Sequence, residues 1–110
     1  MIKNSKENMI HDVTASLRRT ASWRRELCRK FNDHRNELAA KTLEELANVA
    51  PAVSDDYWSE LLPYYDLNFS TWADAVSQAS RHVEFRNIKT FAGFVDDLVS
   101  ILSQPSSVAA

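Results

Sequence analysis

Apolar residues recur along this chain with the spacing of a helix, not the alternation of a strand. The first such stretch covers residues 6 to 40. There Met9, Ile10, Val13, Leu17, Ala21, Leu27, Cys28, Phe31 and Leu38 fall within about 120° of one another on a 3.6-residue wheel, which predicts a long amphipathic N-terminal helix. Thr42 followed by Glu45 has the pattern of a capping box, so a short second helix is expected from there, with Leu43, Leu46, Ala47 and Ala50 on one side and Pro51 closing it. After a linker from Pro51 to Val53, Ser54 is placed to cap a third helix. Asp55 and Asp56 in its first turn suit the positive end of the helix dipole, and Trp58, Leu61 and Leu62 supply its core face until Pro63 bends or ends it.

Asn68 marks the next N-terminus, and Trp72, Ala73, Val76, Ala79, Ser80 and Val83 give a fourth helix over about residues 70 to 84. The fifth, from Ile88 or Thr90 to Ser103, has the widest apolar face: Phe91, Phe94, Val95, Leu98, Val99, Ile101 and Leu102 lie on it with Ile88. It is expected to be the central element. The fold class that follows is all-α: a single-domain bundle of about five helices over residues 1–103, with 104–110 as a C-terminal tail. A length of 110 residues supports one core, and a single glycine, Gly93, disfavours hairpins and glycine-rich nucleotide loops.

Charge changes the picture more than composition does. The net charge is only −2, yet residues 1–37 carry nine Lys/Arg against five Asp/Glu, while residues 38–110 carry four against ten. Such segregation implies either internal pairing or an acidic partner. No apolar h-region follows the charged start and no apolar run approaches the ~20 residues of a membrane span, so no membrane association and a cytoplasmic location are expected. Cys28, the only cysteine, excludes an internal disulfide and a multi-thiolate metal site.

The cations are ordered on the first helix. Arg18, Arg25 and Arg29 form a stripe beside the apolar face, able to grip phosphates or an acidic protein. Arg24 and Arg35 fall inside the apolar stripe, where a charge needs a carboxylate; Glu84, Asp96 and Asp97 are the candidates. Trp23, flanked by Arg19 and Lys30, has the character of a binding anchor. The expected partner-binding face is therefore Arg18, Arg19, Trp23, Arg25, Arg29 and Lys30. A helix-turn-helix from Thr42 to Leu62 is disfavoured because its second helix would present Asp55, Asp56 and Glu60 to the phosphates.

His11, His34 and His82 lie far apart in sequence, and neither H-E-x-x-H nor Glu-x-x-His occurs, so no metal, cofactor or catalytic constellation is expected. Arg29 and His34 have the R-x4-H spacing of HEPN-type ribonucleases, and over these six residues the chain resembles that all-α family. The resemblance implies Arg and His acting on RNA across a dimer. The family places the motif late in its domain, whereas here it falls on the first helix, with Lys30 where a small polar residue is usual.

The reading that results is a non-catalytic interaction protein, a regulator, inhibitor or adaptor, that binds a protein partner. Nucleic-acid binding by the basic face is the alternative, and a HEPN-like ribonuclease the third. An unbroken first helix of about 34 residues would be about 50 Å long, beyond the ~34 Å span of a compact chain this size. Either it breaks, around Thr20 to Ser22 or at Asn32 and Asp33, or it projects and dimerises. The second branch predicts a homodimer through Met9, Ile10, Val13 and Leu17.

Overall fold

The computed structural model describes residues 5–67 and 69–104, with side chains excepted at 5, 66, 67 and 69. Five helices make up an all-α bundle: α1 (Ser5–Phe31), α2 (His34–Val49), α3 (Asp55–Leu67), α4 (Phe69–Phe85) and α5 (Phe91–Ser103), with a short 3-10 turn at Ala50–Ala52. No strand occurs among the described residues. Asn68, the expected start of the fourth helix, and residues 105–110 of the expected tail lie outside them.

The expected first helix is two helices. It breaks at Asn32 and Asp33, the second of the two sites at which the sequence allows it. Asn32 takes a left-handed φ of 51°, which asparagine tolerates better than most residues. Asp33 then caps α2, its carboxylate accepting the Arg35 backbone N–H at 3.0 Å. The chain doubles back, and α2 packs antiparallel on α1, as the pairs Arg18–Asn48, Arg25–Glu44 and Arg24–Asn36 require. Ala39, Ala40 and Ala47 let the two backbones approach. Thr42 consequently does not cap a helix. It sits inside α2 and donates to the Leu38 carbonyl at 3.2 Å.

Later boundaries are held by their own side chains. Ser54 accepts the Asp56 N–H at 3.2 Å at the head of α3, and Thr90 accepts the Gly93 N–H at 3.1 Å at the head of α5. Helix α3 continues through Pro63 to Leu67, where the sequence suggests a bend or stop. The end of α4 is a Schellman motif: Ile88 donates to Val83 at 3.0 Å and Asn87 to Glu84 at 3.2 Å, with Asn87 at φ 54°. The two left-handed positions among the described residues are thus both asparagines, and Gly93 is helical.

The core joins Met9, Val13, Leu17 and Ala21 of α1 to Leu43 and Leu46 of α2, Trp58 and Leu61 of α3, Trp72, Val76 and Val83 of α4, and Phe91, Phe94, Val95 and Leu98 of α5. Helix α1, not α5, is central. It packs against α2, α3 and α4, whereas α5 rests chiefly on α4 and α3 and leaves Val99, Ile101 and Leu102 partly exposed. The 27 residues of α1 give a rod of about 40 Å that every neighbour can reach, whereas the 13 residues of α5 give about 20 Å. Helices α1 and α4 run parallel, because Ser16 meets Ser80 and Arg24 meets Glu84. Among the described residues no helix is long and apolar enough to cross a membrane.

Candidate interaction site

The parallel seam between α1 and α4 and the antiparallel seam between α1 and α2 divide the basic residues of α1 into three environments. On the α2 side the cations are met by polar partners. Arg25 donates to Glu44 with both Nε and Nη2, at 3.1 and 2.6 Å, in the bidentate geometry that suits a guanidinium. That pair raises the Arg25 pKa above its usual value and holds the Glu44 carboxyl below its own. Arg29 pairs with Glu26 one turn away, and Arg18 donates to Asn48 at 3.2 Å. The shallow groove here, about 410 Å³, is lined by Ser22, Arg25, Cys28, Arg29 and Glu37.

Between the seams, Arg24 enters the core. Its Nη2 meets Glu84 at 2.6 Å, its Nη1 donates to Asn36 at 2.9 Å, and its guanidinium lies over the Trp23 ring, 4.9 Å from the centroid. Of the carboxylates expected for a buried arginine, Glu84 is the one used. Arg35 behaves otherwise: it is exposed and forks onto Asp33 within the turn, because the break at Asn32 rotates α2 away from the wheel of α1. Asp97 is buried as well, but its partners are His82 of α4 at 2.8 Å and Arg86, in the turn after α4, at 3.4 Å. The sequence reading missed this triad. The i, i+4 spacing of His82 and Arg86 was its signal, but only the packing of α5 on α4 supplies the carboxylate.

On the α4 side the arginines have no partner among the described residues. Arg19 and Arg81 make no hydrogen bond or ion pair among the described residues, and together with Ser16, Thr20, Trp23 and Ser77 they line a groove of about 430 Å³. Trp23 is 47% exposed at its rim. The groove continues along the seam into a second cavity of about 280 Å³, walled by His11, Asp12 and Ala15 of α1 and by Trp72, Ala73 and Val76 of α4; Ser16 and Arg19 line both. The indole nitrogen of Trp72 is buried without a hydrogen-bond partner among the described residues. Arg81 and Ser77, one turn apart on the polar flank of α4, are functional candidates that the sequence did not single out.

The six residues expected to form one basic face therefore do not line one groove. Arg19 and Trp23 belong to the α4 groove, Arg18, Arg25 and Arg29 to the α2 side, and Lys30 stands exposed near the end of α1. Arg29 and His34 of the R-x4-H pattern lie on opposite sides of the left-handed break, one on α1 and one on α2. The expected two-fold face is also displaced: Met9, Val13 and Leu17 are 0% exposed within one chain, and Ile10 is partly buried against them. Once α1 ends at Phe31, its apolar stripe is short enough for the chain to cover that portion of it. What stays bare is the far end. Phe31, Leu38 and Phe85 are 70%, 63% and 79% exposed, where the α1–α2 hairpin runs about 10 Å past the Arg24–Glu84 pair near the end of α4.

No group of three or more His, Cys, Asp or Glu side chains among the described residues could hold a metal ion. No protein-family model, curated protein or solved structure matches this chain.

Proposed function

We propose that this chain is a non-catalytic binding module whose working surface is the groove between α1 and α4 and whose ligand is an acidic protein partner. The observation that carries this reading is the pair Arg19 and Arg81, which line one groove beside the half-exposed Trp23 and make no ion pair with any described carboxylate. Exposed arginine next to an exposed tryptophan is the composition of an interface anchor. The experiment is affinity capture from the host extract with wild-type protein and the R19E/R81E variant, each with and without nuclease. The expected partner survives nuclease and is lost with the variant. A partner kept by the variant would defeat the reading, and one lost to nuclease would transfer it to nucleic acid.

Self-association belongs to the same proposal, relocated from Met9, Val13 and Leu17 to the hairpin end. Phe31, Leu38 and Phe85 are the most exposed of the large apolar side chains among the described residues, and a second copy related by a two-fold axis would bring the same side chains to meet them. Light scattering at micromolar concentration should give the mass of two chains, falling to one in the F31D/L38D variant. A one-chain mass for the wild type would end this part.

A further inference from the structure

Resting on the reading of the α1/α4 groove as the working surface, we propose that its occupant is an extended acidic peptide of about five residues, with a carboxylate side chain seated between Arg19 and Arg81. Three features of the groove converge on that class. The first is length. Its α1 wall runs from His11 to Trp23, about 18 Å at 1.5 Å per residue, and five to six extended residues at about 3.3 Å each fill the same distance. The second is charge. Two guanidiniums with no partner among the described residues, one from each wall, suit a carboxylate that takes hydrogen bonds from both, and Ser77 adds a hydroxyl. The third is the rim at the arginine end, where Trp23 is 47% exposed and offers an apolar ring face to a neighbouring peptide side chain.

The opposite end also decides against a nucleic-acid strand. Asp12 lines it, about 10 Å along α1 from Arg19, and a strand carrying a phosphate on every nucleotide would set one against that carboxylate. An extended peptide presents a neutral backbone there and turns alternate side chains outward, so its acids can avoid Asp12 while one of them sits between the arginines. Glu84 does not cancel the arginines, because its carboxylate is taken by Arg24.

The test measures anisotropy of fluorescein-labelled hexaglutamate, hexalysine and an eight-nucleotide dT strand with the purified full-length protein. Hexaglutamate is expected to bind saturably, more tightly at low salt, and hexalysine not to bind. R19E/R81E and the milder R19Q/R81Q should each weaken hexaglutamate at least tenfold, and R25E/R29E should leave it unchanged. Both groove arginines are exposed, and a helical far-UV spectrum confirms that each variant is folded. Absence of saturable hexaglutamate binding up to millimolar, or equal binding by R19E/R81E, overturns the proposal. Tighter, Arg19-dependent binding of the dT strand overturns it in favour of nucleic acid. If hexaglutamate fails while R19E/R81E still loses its nuclease-resistant partner, the peptide class is wrong and the groove stands. If that partner is retained by R19E/R81E, the groove itself falls.

Discussion

Both flanks of α1 carry arginine, and the arginines of the two flanks meet opposite fates. Toward α2, Arg25 meets Glu44 and Arg29 meets Glu26; toward α4, Arg19 and Arg81 share a groove with no described carboxylate bonded to either. A positive charge on a helix therefore says little about availability until its neighbour across the seam is known. Neutralised arginines have little electrostatic attraction left to offer, and an incoming acid would first have to displace a bidentate carboxylate. The unpaired arginines keep theirs.

The largest effect expected on breaking this division is on stability, at the residue between the flanks. Replacing Arg24 by Ala strips Glu84 and Asn36 of their partner in a largely buried setting and should cost about 3 kcal/mol in denaturant unfolding. Loss of under about 0.5 kcal/mol would show that water reaches Glu84 freely.

Next comes the direct contrast between flanks. Charge reversal at Arg19 and Arg81 should lower partner binding at least tenfold without lowering the unfolding midpoint. The same reversal at Arg25 and Arg29 should leave binding intact. Equal losses from the two pairs would return all the arginines to one diffuse basic face.

A smaller effect is expected at the turn that creates the α2 flank. Asn32 holds a left-handed φ, so Asn32→Ala should cost about 1 kcal/mol, and Asn32→Gly should be neutral or mildly stabilising. If Ala and Gly behave alike, the break is enforced by packing alone.

The smallest concerns acid. Hydrogen bonding to Arg25 holds the Glu44 carboxyl below its ordinary value of 4.5. Because the folded state has the lower pKa, that pair stabilises above about pH 4.5 and is lost as pH falls through the depressed folded value. Glu44→Gln should therefore flatten the acid limb of the stability profile slightly and leave stability in urea near pH 7 almost unchanged, as partly exposed pairs contribute little. A large loss at neutral pH would make the α2 flank a structural clamp.

Much of this molecule is fixed locally and is therefore readable in its sequence. Periodicity places α4 and α5 within a residue or two at most boundaries, Ser54 and Thr90 cap the helices they precede, and an arginine inside the apolar stripe of α1 finds the acid it needs in Glu84. Each depends on groups within a few residues or on a burial cost that any fold must meet. Thr42 and Pro63 show the limit of local rules: a capping pattern lies mid-helix and a proline is carried through, because packing of the surrounding helix outweighs either preference. The grouping of the arginines is of another kind. Whether Arg19 faces an acid or a second arginine depends on the angle at which α2 and α4 lie against α1. That angle follows from a left-handed asparagine and from side chains far apart in the chain, such as Ser16 and Ser80, 64 residues apart, which no spacing within one helix encodes.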